Sequence, residues 1–151
     1  MHQIYCSPIG DIALFSDGSA LTGLRFVDNQ SLEGNVDAPV FDAALRWLDL
    51  YFAGRIPDFM PSLRMNGTSF QQSVWHELQT IPYGQTVTYG DIACRVGCRS
   101  AQAVGGAVGR NPIAIIVPCH RVVGADGSLT GYAYGLEIKQ HLLQQEHNHR
   151  L

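Results

Sequence analysis

The chain has 151 residues, 46% of them hydrophobic and none in a biased tract, which suits one domain or two small ones with a sizeable core. A net charge of −3 does not advertise a general nucleic-acid binder, and no apolar run approaches the ~18 residues of a membrane span. Residues 1–6 lack the positive start and apolar segment of a secretory signal, so the four cysteines, at 6, 94, 98 and 119, are expected as reduced thiols in the cytoplasm.

Residues 4–15 predict two strands around a Ser-Pro-Ile-Gly-Asp turn at 7–11, and residues 21–27 a third strand after the Asp17-Gly18-Ser19 turn. Residues 28–38 read as a loop. From Pro39 a helical period sets in: Phe41, Ala44, Leu45, Leu48, Tyr51 and Phe52 share a face, and Gly54 stands where a C-terminal cap belongs. Residues 1–62 are thus expected to form a small antiparallel sheet with a helix, a scaffold with no active site of its own. Residues 57–66, with Pro57 and Pro61, read as the linker, and residues 63–151 as the second domain.

In that second domain Ser69-Phe70-Gln71-Gln72 has the form of a capping box and opens a helix with Phe70, Val74, Trp75 and Leu78 facing inward. Ile81-Pro82-Tyr83-Gly84 turns the chain. Thr88-Tyr89-Gly90-Asp91 is another capping box, so a short helix is predicted to Val96, stopping at Gly97, and Ser100 is placed to cap a further helix over 101–110. The pair is a helix-turn-helix candidate, a motif of low specificity because many helical pairs bind nothing. Its second helix contains Gly105, Gly106 and Gly109, each costing about 1 kcal/mol against alanine. Such a backbone is expected either to pack closely on residues 115–117 or to lie in a narrow groove of DNA, and the two can hold for different faces. Charge is also uneven. Residues 1–63 carry three arginines against eight acids, a net −5, whereas residues 64–151 carry seven basic residues against five acids, a net +2, as an anion-facing C-terminal half would.

Residues 113–117 are apolar and rich in β-branched side chains, which predicts a buried strand ended by Pro118. At that end stand Cys119 and His120. A thiol attacks as the thiolate, and a neighbouring imidazole is the usual means of generating one; for an isolated pair, a cysteine packed as a small hydrophobe beside a chance histidine is the competing reading. Tyr132 and Tyr134 lie between glycines at 131–135, either as a pocket wall or as simple packing. The last helix is predicted over 136–146 with Leu136, Ile138, Leu142 and Leu143 on its apolar face and Glu146 in the same arc. Glu146 either reaches solvent from the last turn or orients the His120 imidazole. His141, His147 and His149 have no partners at metal spacing and read as surface residues.

The segment from Ser69 to Glu146 resembles the O6-alkylguanine-DNA alkyltransferases. The resemblance is carried by Ile81-Pro82-Tyr83-Gly84 with Thr88-Tyr89, Ala103-Val104-Gly105, Asn111-Pro112, Pro118-Cys119-His120-Arg121-Val122-Val123 and Leu129-Thr130-Gly131-Tyr132. The Pro-Cys-His-Arg-Val core is highly specific, and the N-terminal part is compatible with the family's ribonuclease-H-like domain. The resemblance implies an α+β (α/β) chain, with that small domain followed by a mostly helical one. It implies minor-groove binding of duplex DNA through the helix-turn-helix, flipping of the damaged base into a pocket, and irreversible transfer of the alkyl group from guanine O6 to Cys119, once per molecule. His120 helped by Glu146 would generate the thiolate, Asn111 would brace the turn, and Tyr89 would donate to the departing guanine. Val108, Val122, Tyr132, Ala133 and Tyr134 would line the pocket, and Thr88, Tyr89, Gly90, Arg99, Ser100, Gln102 and Ala125 would contact DNA. No cofactor or metal is implied, and a monomer is expected.

Two positions depart from the family pattern. Gln102 stands where the usual arginine enters the space left by the flipped base, which predicts weaker or more salt-tolerant DNA binding. Tyr134 stands where many members have glycine, which predicts a narrower pocket that disfavours benzyl-sized groups. Two rival readings remain: a non-catalytic lesion sensor, which would need Gln102 and Tyr134 to disable transfer, and a Cys-His-Glu hydrolase, which would leave the helix pair without a purpose.

Overall fold

The structure is a computed structural model that describes residues 1–27 and 36–149; residues 28–35 of the expected 28–38 loop lie outside the described residues. The chain divides into two compact units, Met1–Met65 and Asn66–Leu151.

The first unit is a three-stranded antiparallel meander of β1 (His2–Ser7), β2 (Gly10–Ser16) and β3 (Leu21–Phe26), with His2 opposite Phe15 and Ser7 opposite Gly10. A two-residue connection makes the first hairpin tight, and Gly10, the first residue of β2, leaves it with a φ of +131° that only glycine adopts readily. A 3₁₀ turn at Pro39–Phe41 leads into α1 (Asp42–Phe52). Phe41, Ala44, Leu48 and Tyr51 are buried as the helical period predicts, together with Trp47, which stacks on Tyr51 at 5.3 Å between ring centroids. Leu45 and Phe52 are only partly covered. The expected linker is in fact tied to the sheet. Leu21 N–H donates to Ser62 O at 2.8 Å, Arg64 N–H donates to Leu21 O at 2.9 Å, and Pro61 is buried. Edge strand β3 has unpaired backbone groups to satisfy, and the extended proline-containing stretch meets that need better than solvent.

The second unit contains α2 (Ser69–Leu78), β4 (Val87–Thr88), α3 (Tyr89–Val96), α4 (Ala101–Gly109), β5 (Val122–Val123) and α5 (Leu136–Asn148). The capping box of α2 falls one residue earlier than the sequence pattern suggests. Thr68 is the N-cap, its side chain accepting from Gln71 N–H while Gln71 Oε1 accepts from Thr68 N–H, so threonine-x-x-glutamine rather than serine-x-x-glutamine closes the box. The box at Thr88 and Asp91 forms as expected, α3 ends at Gly97 with φ +70°, and the Ser100 hydroxyl accepts from Ala103 N–H to start α4. Trp75 Nε1–H donates to Ala107 O at 2.8 Å, locking α2 against α4. β4 and β5 pair in parallel, Val87 with Val122 and Thr88 with Val123, which sets the start of α3 beside the residues that follow Cys119.

Candidate active site

Residues 113–117 do not form the predicted strand. They fold into a tight buried turn in which Val117 N–H donates to Ile113 O at 3.1 Å and Ile115 takes a φ of +69°. A β-branched residue rarely enters that region, so something beyond its own backbone preference must hold it there. Asn111 supplies the brace: its Oδ1 accepts from Ile113 N–H at 3.0 Å and its Nδ2 donates to Val117 O at 2.8 Å. Burial does the rest, since Ile113, Ala114, Ile115 and Val117 are all fully enclosed. An apolar run bounded by proline carries no period that separates a strand from a buried turn.

The turn delivers a 3₁₀ segment, Cys119–Arg121, whose side chains are all buried. Burial raises the Cys119 thiol above its ordinary value. The Asn111 side chain, the charge of Lys139 and the backbone N–H groups of Cys119 and His120 pull it part of the way back. His120 and Glu146, 26 residues apart, meet with Nε2 2.6 Å from Oε2. Glu146 is completely buried, so the reading in which it reaches solvent is excluded. Burial alone would raise its carboxyl, but His120 and Arg121 more than reverse that, and Glu146 is held well below the ordinary carboxylate range. Since a carboxylate only accepts, His120 Nε2 must be the donor. Burial keeps this imidazole below its ordinary pKa despite the neighbouring carboxylate, which makes Nδ1 the basic atom of the neutral ring.

Arg121 was not among the expected site residues, yet it organises the cluster. Its Nε donates to Glu146 Oε1 at 2.8 Å, its Nη2 to Oε2 at 3.1 Å and its Nη1 to Ile81 O at 2.7 Å. Gly84 N–H adds a further bond to Oε1 at 3.2 Å. Two-pronged pairing with several donors is what makes a buried carboxylate tolerable. Lys139 was missed as well. It is fully buried on α5 with Leu142 and Glu146, whereas Leu136, expected on the inner face, is 49% exposed. The available signal was spacing: positions 139, 142 and 146 fall on one helical stripe. The inward face of α5 combines the apolar Leu142 with Lys139, which meets backbone carbonyls, and Glu146, which meets His120 and Arg121.

The remaining expected residues lie as follows. Tyr89 is half-buried at the start of α3, donates its hydroxyl to Thr130 O at 3.0 Å, and is raised by burial. Tyr132 meets Tyr134 edge-on at 5.5 Å, its hydroxyl buried without a hydrogen-bond partner among the described residues. Ala133 is exposed, while Val108 on α4 and Val122 on β5 are buried. Thr88 is half-buried as the α3 cap; Gly90, Arg99, Ser100, Gln102 and Ala125 are exposed. On α4 a Cβ at Gly105 would touch the Tyr89 ring at 3.9 Å, whereas at Gly106 or Gly109 it would meet nothing within 4 Å. Packing against residues 115–117 therefore does not account for those two glycines. A cavity of about 360 Å³ opens between α5 and Gly84, Thr86 and Leu129; Cys119 is not on its wall, so it is not a pocket for chemistry at the thiol. Among the described residues, no cluster of His, Cys, Asp or Glu could hold a metal ion, and no helix is long and apolar enough to cross a membrane.

The chain that builds this cysteine turn, His–Glu–Arg cluster and pair of capped helices has clear relatives among known proteins. The 6-O-methylguanine DNA methyltransferase DNA-binding domain matches residues 69–148, and the ribonuclease-like domain of the same family matches residues 1–74. The methylated-DNA–protein-cysteine methyltransferase of Methanosarcina acetivorans is 47% identical, the match covering 96% of this chain and 97% of that protein. The Mycobacterium bovis protein of the same name is 49% identical over 93% of this chain and 88% of its own. Among solved structures, Mycobacterium tuberculosis OGT in complex with DNA superposes with a TM-score of 0.89 at 47% identity, covering 98% of this chain and 93% of that one. The chain belongs to the 6-O-methylguanine DNA methyltransferase family.

Proposed function

We propose that this protein repairs DNA by moving the alkyl group of O6-alkylguanine onto its own Cys119, one lesion per molecule. The observation that carries the reading is the buried continuity of Cys119, His120, Glu146 and Arg121 on a turn braced by Asn111. In the step proposed, His120 Nδ1 takes the thiol proton and Glu146 stabilises the resulting imidazolium. A bond forms between sulfur and the alkyl carbon while the carbon–O6 bond breaks, its electron pair leaving with the guanine. The Tyr89 hydroxyl, released from Thr130 O, gives a proton to that leaving group, which an anionic guanine needs to depart readily, and the proton taken up by His120 then restores the Tyr89 hydroxyl through solvent. A thioether does not reverse under these conditions, so the protein is consumed.

DNA is bound, in this reading, through α3 and α4, with the exposed face of α4 against the minor groove and the target base flipped toward Cys119. The bare surface at Gly106 and Gly109 supports a partner approaching the backbone closely. Gln102, exposed near the start of α4, would face the orphaned base without bringing a charge. The Tyr132–Tyr134 pair would narrow the pocket toward methyl-sized groups, and the buried Tyr132 hydroxyl offers a donor that a bound base could satisfy. A monomer suffices for this chemistry.

The test is intact-protein mass after mixing with excess duplex containing one O6-methylguanine. A gain of one methyl, about 14 Da, that is absent from Cys119→Ser is expected for a thiolate acceptor. Retention on the lesion duplex with no mass gain would replace the transferase by a lesion sensor. Continued turnover of small acyl substrates would favour a hydrolase.

A further inference from the structure

Lys139 is the only lysine in the sequence; the other nine basic residues are arginines. It is also completely buried. Its Nζ donates to Val122 O at 2.5 Å and to Thr130 O at 2.9 Å, and among the described residues no carboxylate lies within ion-pair distance of it. Arg121, also buried, has the opposite arrangement, with Nε and Nη2 both on Glu146. An ammonium enclosed with carbonyls alone is expensive to bury, and unlike a guanidinium it acts there as a compact point charge.

The groups around Lys139 identify its counterpart. From α3 the Tyr89 ring lies 5.9 Å from Nζ, and the Tyr89 hydroxyl shares Thr130 O with it. Val122, whose carbonyl accepts from Nζ, directly follows the 3₁₀ segment Cys119–Arg121, and the Lys139 charge pulls the Cys119 thiol down. Tyr132 in the neighbouring loop feels Cys119 as well. Glu146 is already occupied by His120, Arg121 and Gly84, and Tyr89 and Tyr132 are neutral at physiological pH, their hydroxyls raised by burial. Among the described residues around Lys139, the Cys119 sulfur is the group that can become an anion with no counter-charge already in place. Burial pushes the Lys139 ammonium down, and Cys119 is the influence that restores it.

We infer that Lys139 is a positioning residue for alkyl transfer: its buried ammonium is the charge partner of the Cys119 thiolate, and its two carbonyl bonds pin β5 to the pocket loop at Thr130. This rests on the alkyl-transfer reading above and adds to it a source of positive charge other than His120, whose imidazole is neutral before the proton moves. The carbonyl bonds also fix Thr130 O, the acceptor that holds the Tyr89 hydroxyl until substrate arrives.

The experiment follows Cys119 alkylation by iodoacetamide against pH in the full-length protein and in Lys139→Met, resolved by peptide mass because Cys6, Cys94 and Cys98 also react. Loss of the charge should slow Cys119 at neutral pH about tenfold or more, an upward shift of one unit or more in its titration, with the two rates converging at high pH. Coincident profiles, even alongside slower transfer from DNA, would reduce Lys139 to a structural role and overturn the inference. Should Lys139→Met fail to fold, the reciprocal measurement serves. Selective labelling of lysine gives a single side-chain resonance, whose titration is compared between the parent and Cys119→Ser. Reciprocal coupling requires the lysine to titrate lower once the thiol is gone, and an unchanged titration would overturn the pairing. Methyl transfer from an O6-methylguanine duplex to the parent is scored separately: a parent that gains no methyl sinks the transferase reading, while a shifted Cys119 profile would still support the charge pairing.

Discussion

The interiors of the two units are built differently. Among the described residues, the core of Met1–Met65 buries one polar side chain, Ser16, whose hydroxyl donates to Ala20 O at 2.7 Å. The core of Asn66–Leu151 buries Asn111, His120, Arg121, Lys139 and Glu146. Apolar burial stabilises by roughly 25 cal/mol per Å² whatever the detailed arrangement, so the first interior can vary in sequence while keeping its shape. The second must match each donor and acceptor, because a half-satisfied buried network is worse than an apolar one. Three of its five polar residues, His120, Arg121 and Glu146, form one connected cluster, Asn111 braces the Cys119 turn, and Lys139 ties α5 to Val122 and Thr130. The chain accepts a costly interior in the unit that carries the proposed chemistry and an ordinary one in the other.

The contrast can be broken most sharply at Glu146. Glu146→Gln leaves Arg121 buried without its counter-charge and should lower stability by about 3–5 kcal/mol, read by denaturant unfolding at neutral pH. The sign of the pH effect follows from the depressed carboxyl. The stabilisation by Glu146 is complete above its ordinary value of 4.5 and is lost as pH falls through its lower folded value. The parent should therefore weaken steeply in acid and the variant much less, and parallel acid limbs would show that another group governs the acid limb. In the apolar unit, Leu48→Ala should cost about 2–5 kcal/mol by opening a cavity, yet leave the transfer rate per folded molecule unchanged. A slower rate would mean that the first unit is more than a scaffold. Gly106→Ala separates stability from function within the second unit. It should raise stability by about 1 kcal/mol, since the added methyl meets nothing, while weakening binding to a lesion duplex in fluorescence anisotropy. Undiminished binding would remove the case for close backbone approach. The smallest effect is expected from Gln102→Arg, which should steepen the dependence of log affinity on log salt by about 0.9 if it adds one phosphate contact. Equal slopes would show that position 102 does not meet the DNA backbone.

Much of the second unit was legible because its signals act over a few residues. The Thr88–Asp91 box, the left-handed Gly97 and the Ser100 cap are formed by side chains within three positions of the groups they satisfy, and the Pro-Cys-His-Arg-Val stretch marked the thiol directly. A one-residue error at Thr68 shows how little local context separates one hydroxyl cap from the next. Tertiary structure decided the rest. Residues 113–117 have the composition of a strand, and only the Asn111 brace and complete burial turn them into the tight loop that presents Cys119. Residues 57–66 have the prolines of a linker, and only the open edge of β3 draws them in. Arg121 and Lys139 are unremarkable in sequence, because a charged residue on a helix or beside a motif usually faces water. Their partners at Ile81, Val122, Thr130 and Glu146 are 9 to 40 residues away. Local hydrogen-bond chemistry is written in neighbouring residues; the pairing of buried charges depends on which distant segments the fold brings together.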